Sequence, residues 1–160
     1  MPETQRRVLI ALDETGSGKQ VLDWVHSHHI LAPEDEITVA TAVDEDVSHV
    51  EGPGMQSAPM SSTTNATEDF ATDLRMLERH GKQHLSNGIQ TLQQLGYNNT
   101  KPELLKGHPG RMITKYAKDQ QVDLVICGRR HNRGVLKRSL MGSVSEYLVH
   151  NLDCPILVVQ

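Results

Sequence analysis

Residues 124–143 read LVICGRRHNRGVLKRSLMGS, and this stretch contains the strand-to-helix transition that decides the fold of the 160-residue chain. The apolar run Leu124–Cys127 has the pattern of a buried strand and ends at Gly128. A loop with six potentially cationic side chains and no carboxylate follows, and Gly142-Ser143 then begins a helical pattern. A glycine-containing turn before a helix directs backbone N–H groups and the positive end of the helix dipole at an anion. We therefore predict a nucleotide phosphate site here.

The basic side chains of the loop strengthen this prediction, because they donate charge-assisted hydrogen bonds to phosphate oxygens. Besides His131, they are Arg129, Arg130, Arg133, Lys137 and Arg138. The formal net charge of the whole chain is -4, so the basic loop is a local feature and not a bulk property.

The same residues also allow an interpretation without a ligand. Ser143 and Glu146 have the spacing of a capping box, in which the serine side chain accepts from a backbone N–H three residues later. A basic surface loop with turn glycines is also common. The loop contains neither a Walker A sequence nor a Gly-x-Gly-x-x-Gly fingerprint, so both interpretations stay open.

Working outward, alternating strand and helix patterns predict an α/β fold with a five-stranded parallel sheet and helices on both faces. Short apolar runs predict the strands, and spacings of three and four residues between apolar side chains predict the helices. The predicted strands are 8–12, 37–43, 101–107, 122–127 and 156–159, and the predicted helices are 17–30, 70–95, a short one around 112–117, and 143–152. Gly96 is the expected C-cap of the long helix.

The rest of the chain supplies few other signals of function. We expect residues 1–160 to form one domain, with residues 44–66 as a long flexible loop. His80 and His84 have a spacing that suits a metal, but no third ligand stands near them, so we predict no metal site. The start of the chain lacks an apolar signal region, and no apolar run approaches a membrane span. We expect a cytoplasmic protein that binds neither membrane nor nucleic acid.

Five motifs occur in order along the chain: Val8–Asp13, Gly107-His108-Pro109, Asp123–Gly128, Gly142–Glu146 and Cys154–Val159. Together they resemble the motifs of the universal stress protein family, and the resemblance covers essentially the whole chain. The family has Gly-x2-Gly-x9-Gly-Ser/Thr after its fourth strand, whereas Gly128, Gly134 and Gly142 here give Gly-x5-Gly-x7-Gly-Ser. The middle glycine is displaced, and the span is one residue longer.

The resemblance implies a Rossmann-like fold with an ATP site at the carboxyl ends of the first and fourth strands. It implies that Asp13 lies near the ribose or base and that Ala42 and Val43 border adenine, although Asp13 also suits a helix N-cap. The full set of implied nucleotide-binding residues is Ala11, Asp13, Ala42, Val43, Cys127, Gly128, Arg129, Arg130, Gly134, Gly142, Ser143, Val144 and Ser145.

The resemblance also implies a stress-response regulator or sensor that binds ATP, with or without Mg, and ADP and AMP are further candidates. No Asp or Glu lies between Gly128 and Ser145 to hold magnesium or orient water, so we expect no enzyme beyond slow hydrolysis. We expect a homodimer through the strand Ile156–Val159 and an unknown protein client. Two alternatives are a nucleotide-free dimeric interaction module and, disfavoured by the lack of a catalytic histidine or Ser-Gly-Gly motif, a ligase or nucleotidyl transferase.

Overall fold

The computed structural model describes residues 5–13, 18–44, 65–128 and 142–160. In these ranges, strands and helices alternate along the chain. They are β1 (Arg7–Ala11), α1 (Gly18–Ser27), β2 (Glu36–Val43), α2 (Asn65–Gln94), β3 (Thr100–Lys106), α3 (Pro109–Asp119), β4 (Leu124–Gly128), α4 (Ser143–Asn151) and β5 (Ile156–Val159). All neighbouring strands are parallel, in the order β3-β2-β1-β4-β5. This confirms the predicted α/β fold.

Helices cover both faces of the sheet, which explains why the central strands are apolar without alternation. In β1, Val8 and Ile10 belong to a core cluster that includes residues of α1 and α2. Leu9 and Ala11 point the other way, into a second cluster with residues of α3 and α4. Each face therefore has its own apolar core.

Two glycines allow the long helix α2 to lie directly on the sheet. A Cβ at Gly81 would stand 2.8 Å from Leu104 Cδ1, and one at Gly88 would stand 2.9 Å from Leu12 Cδ1. Glycine in a helix interior costs about 1 kcal/mol relative to alanine. The close approach to the sheet is the reason these positions are glycine.

The ends of α2 confirm one prediction and correct another. Gly96 has φ +97, and the Tyr97 and Gly96 N–H groups donate to the Leu92 and Gln93 carbonyls, as in a Schellman motif. The helix begins at Asn65, so the start predicted near residue 70 is wrong, and residues 65–66 are not part of a loop. The remainder of the predicted loop, residues 45–64, lies outside the described residues.

Candidate functional site

The carboxyl ends of β1 and β4 meet at the point where the chain reverses its direction of travel across the sheet. From β1 the chain moves outward through β2 to β3, and it later returns to place β4 on the other side of β1. Ala11 and Cys127 stand in register across this junction. In open parallel sheets, ligands bind in the crevice at such a switch point.

The backbone after β1 is fixed by hydrogen bonds to β2. The Leu12 N–H donates to the Ala40 carbonyl over 2.8 Å, and the buried Thr41 hydroxyl donates to the Leu12 carbonyl over 3.0 Å. These bonds present Asp13, which is half-buried, at the mouth of the crevice. Residues 14–17, between Asp13 and the first described residue of α1, Gly18, lie outside the described residues, so the N-cap interpretation of Asp13 stays a prediction.

The two residues predicted to border adenine face opposite sides of the sheet. Ala42 packs against the cluster of α3 and α4. Val43 is buried and faces α2, since its Cγ2 lies 3.2 Å from the position of a Cβ on Gly81. The Val43 carbonyl also accepts the Gly107 N–H over 2.8 Å. Of the two, only Ala42 lies on the same face as α4.

The helix α4 begins at Ser143 without a side-chain cap. Gly142 is the N-cap residue, with φ −71 and ψ 157, and it has no side chain that accepts from the first turn. The Glu146 N–H and the Ser145 hydroxyl both donate to the Gly142 carbonyl over 2.9 Å. The capping box of Ser143 and Glu146 does not form, because Ser143 is the first helical residue and not the cap.

This helix start leaves donors for a ligand. The first N–H groups of a helix have no intrahelical acceptor, and among the described residues no cap side chain supplies one here. Ser143 is exposed, whereas Val144 packs against the core and the Ser145 hydroxyl is already engaged. Backbone N–H groups of the first turn and the Ser143 hydroxyl are therefore the donors that this helix offers.

The remaining predicted residues divide into one that is described and three that are not. Gly128 is the last residue of β4, half-buried and in register with Val159 of β5. Arg129, Arg130 and Gly134 lie outside the described residues.

Cys127 is buried, and burial raises the pKa of its thiol to about 11. The sulfur therefore packs beneath the crevice as a neutral group and not as a nucleophile.

One feature of the carboxyl end of the sheet was not predicted from the sequence. Gly107 adopts φ +119, and its bond to Val43 pins the loop before α3 to the end of β2. The exposed His108 follows, and its ring centroid lies 6.0 Å from that of Tyr147 on α4. The motif Gly107-His108-Pro109 was the available signal, but sequence alone does not show that α3 and α4 are neighbours.

In the described ranges, no group of three or more His, Cys, Asp or Glu side chains is arranged to hold a metal ion. Every helix there also falls short of the length and apolar character that crossing a membrane requires. What the site offers is a set of uncapped N–H donors, one hydroxyl and small side chains at the strand ends. This is chemistry for holding an anion.

Comparison with known sequences assigns the family. A sequence model of the universal stress protein family matches residues 4–160. The chain belongs to the universal stress protein family. It is 46% identical to the universal stress protein Sll1388 of Synechocystis over 54 residues, and this alignment covers 34% of each chain. Over 102 residues it is 30% identical to the universal stress protein MJ0577 of Methanocaldococcus jannaschii, covering 63% of this chain and 62% of that one. These alignments thus span between about a third and three fifths of the relatives.

Solved structures of universal stress proteins share the fold over almost the whole chain. The protein UspA from Lactobacillus plantarum superposes with a TM-score of 0.74 at 18% identity, covering 97% of both chains. A universal stress protein from Archaeoglobus fulgidus, solved in complex with dAMP, gives 0.59 at 15% identity over 97% and 98%. An Arabidopsis thaliana family member, solved with AMP bound, gives 0.58 at 14% identity over 96% and 90%.

Proposed function

We propose that this universal stress protein binds an adenine nucleotide at the carboxyl ends of β1 and β4. The observation that carries the proposal is the uncapped start of α4 on the chain segment that follows β4 at the switch point. Such a helix start is an anion site. The family members solved with dAMP and AMP support the choice of an adenine nucleotide as the anion.

The geometry suggests a role for each described residue. Phosphate oxygens accept from the backbone N–H groups of Ser143, Val144 and Ser145 and from the Ser143 hydroxyl. The absence of a Cβ at Gly142 and Gly128 lets phosphates approach the backbone. Ala11, Asp13, Ala42 and Cys127 line the nucleoside side, with Asp13 accepting from the ribose or base. Val43 contributes by holding the Gly107 loop.

We further propose ATP as the physiological ligand, with Mg accompanying it, and a regulatory role in stress responses exercised through a protein client. Because the sequence from Gly128 to Ser145 has no carboxylate, hydrolysis is slow. Its kcat is expected below the usual enzyme range of ~1–1000 per second. Occupancy of the site, and not turnover, is then the signal.

Calorimetric titration with Mg-ATP, ADP, AMP and adenosine tests the proposal. In Gly142→Val, the φ and ψ of residue 142 suit a β-branched residue, so the fold is retained, while the added side chain blocks phosphate approach. We expect micromolar binding of nucleotides by the wild type and at least a tenfold loss in the variant, about 1.4 kcal/mol. Gly18→Ala, at the start of α1, is the control and should bind normally. Absence of heat and thermal shift in the wild type would refute the proposal.

The displaced glycine favours one alternative, a nucleotide-free dimeric interaction module. Gly134 stands two or three residues beyond the position of the second family glycine, where His131 or Asn132 now stands. Glycine has no Cβ and lets a phosphate approach the backbone closely, whereas histidine and asparagine both carry one. Wild-type protein that binds no nucleotide, together with a variant His131→Gly that does, would establish this alternative.

We also propose a homodimer through β5. The sheet has two edge strands, and β3 carries Lys101, Pro102 and Glu103, residue types that keep an edge unpaired. The other edge, Ile156–Val159, has no charge and no proline, and three of its four side chains are only partly buried. Light scattering should give a dimer mass that falls on dilution, and a monomer mass at every concentration would contradict the proposal.

A further inference from the structure

The loop between β3 and α3 holds His108 in a fixed position at the carboxyl end of the sheet. On one side, the Gly107 N–H donates to the Val43 carbonyl, and the positive φ of Gly107 is a conformation that other residues rarely adopt. On the other side, Pro109 restricts the first turn of α3. His108 is thus anchored from both directions.

The imidazole of His108 has no structural task among the described residues. It is the N-cap residue of α3 but makes no side-chain cap hydrogen bond, and it is exposed. Its ring is tilted by 57° towards Tyr147, with 6.0 Å between the centroids. Tyr147 is itself fixed, because its ring packs on Gly110, where a Cβ would stand only 2.8 Å from Tyr147 Cδ1.

The strand ends on the same face of the sheet as α3 and α4 carry small side chains. On that face, the last residues of the central strands are Ala11, Ala42 and Cys127. Small residues at the ends of three adjacent strands, on the face covered by the two helices that hold the aromatic pair, suit a flat ring system. The face of a purine packs well against imidazole.

We propose that the His108 imidazole packs against the base of the bound nucleotide and contributes to its selection. The inference rests on the proposed function of the same site. The base, and not the phosphates, is the partner because Tyr147 lies four residues beyond the start of α4. That distance is about 6 Å along the helix axis, away from the N–H groups that hold the phosphates. The bond of Gly107 to Val43 places the loop beside β2, on the nucleoside side.

The test compares His108→Ala with His108→Phe by titration with AMP and adenosine. Loss of a base-stacking side chain costs about 1–3 kcal/mol, which corresponds to roughly a 5- to 150-fold loss of affinity. We expect a loss in this range in His108→Ala for both ligands, because the contact does not involve phosphate. His108→Phe should retain affinity within about threefold, since it keeps a ring face. The matched control His80→Ala removes an exposed histidine of α2 and should bind as the wild type does.

A spectroscopic readout separates contact from a structural effect. In a carbon–proton correlation spectrum, the ring signals of His108, identified by their absence in His108→Ala, should shift upfield on addition of adenosine, while those of His80 stay in place. Unchanged affinity in His108→Ala, or unshifted His108 signals in a nucleotide-bound wild type, overturns this inference alone. Absence of binding in the wild type overturns it together with the proposed function. Equal losses in the Ala and Phe variants would also contradict a stacking role.

Discussion

The two ends of the parallel sheet use their polar groups in opposite ways. At the amino end, Arg6 donates to Asp35 through Nε over 2.9 Å, and Lys101 donates to Glu36 over 2.6 Å. The Arg7 N–H donates to the Asp123 carboxylate over 2.7 Å. At the carboxyl end, α3 and α4 both begin without a side-chain cap, and the crevice between β1 and β4 is bordered by alanine, glycine and a neutral thiol.

The amino end has a cleft of about 210 Å³, with charged walls formed mainly by Arg7, Glu36, Lys101 and Asp119. The first three of these charges are partners of one another or of the backbone. Polar groups that satisfy each other stabilise the fold, whereas donors without a partner are available to a ligand. We therefore expect stability to depend on the amino end and nucleotide affinity on the carboxyl end.

The largest expected effect is that of Asp35→Ala at the amino end. Asp35 is buried and accepts from Arg6 Nε, from an Arg6 terminal nitrogen over 2.5 Å, and from the Ala32 N–H over 2.8 Å. The Arg6 side chain is 42% exposed and regains water when the carboxylate is removed, so the cost is that of the lost hydrogen bonds to a charged group, about 2 kcal/mol in the free energy of unfolding. Urea denaturation measures the loss, and AMP affinity of the folded variant should be unchanged.

Asp153→Ala is the matched control, because this carboxylate is 97% exposed and 3.9 Å from Lys118 Nζ. It should change stability by less than about 0.5 kcal/mol. If Asp35→Ala weakened AMP binding more than twofold under conditions where the protein is folded, the assignment of stability to the amino end and nucleotide affinity to the carboxyl end would be wrong.

The second effect, at the carboxyl end, is that of Gly110→Ala. The new Cβ would meet the Tyr147 ring at 2.8 and 2.9 Å, and overpacking of this kind costs about 1–3 kcal/mol. A gain of about 1 kcal/mol in helix propensity offsets part of it. We expect a net loss of about 1 kcal/mol in thermal or urea denaturation and, unlike Asp35→Ala, weaker AMP binding, because Tyr147 moves relative to His108.

Gly18→Ala provides the comparison for this substitution, since its Cβ would lie 3.4 Å from Leu12 Cδ2, an ordinary contact. Adding Tyr147→Leu to Gly110→Ala should restore part of the lost stability by removing the clashing ring. No stability change in Gly110→Ala would show that α3 and α4 adjust freely, and the fixed position of the His108 loop would then be untenable.

Much of the fold follows from the sequence because buried parallel strands are short apolar runs with no alternation. Val8–Leu12 is of this kind and lies within one residue of β1, whereas the strand predicted at 122–127 begins two residues before β4. Gly81 and Gly88 show the limit. From the sequence, these two glycines are expected only to weaken α2. In the structure they allow α2 to contact the sheet, which is apparent only once the distant strands are packed against the helix. Likewise, His29 and Gln121 adopt positive φ values of +53 and +51. Neither is glycine, and nothing in the local sequence indicates this backbone conformation.

The candidate site was less predictable than the fold, because its residues come from separate strands and loops. That the carboxyl ends of the first and fourth strands are neighbours follows from the family resemblance, and in the structure Ala11 and Cys127 stand in register there. The pattern of Ser143 and Glu146 suggested a capping box, but a shift of one residue in the helix start made Gly142 the cap. The approach of His108 to Tyr147 depends on helix neighbours that no sequence spacing encodes.

The smallest expected effect returns to the amino end, in Glu36→Gln. The hydrogen bond from Lys101, aided by the charges of Lys101 and Arg7, lowers the pKa of Glu36, and the same bond raises the pKa of Lys101. The lowered carboxyl pKa stabilises the fold above about pH 4.5, and this contribution is lost as pH falls through the folded value. The raised lysine pKa stabilises it below about pH 10.5, and this contribution is lost as pH rises through the folded value.

Between these limits the half-exposed pair contributes roughly 0.5 kcal/mol, the magnitude of a good surface ion pair. The free energy of unfolding of Glu36→Gln should therefore be lower than that of the wild type by this amount at pH 7. The difference should shrink as the pH falls below about 4.5. The control variant Glu34→Gln should show neither effect. Urea denaturation at several pH values measures the difference. AMP affinity at pH 7 should not change in either variant. A change on removing Glu36 would mean that charge in the amino-end cleft reaches the carboxyl-end site along β1 and β2, which join the two.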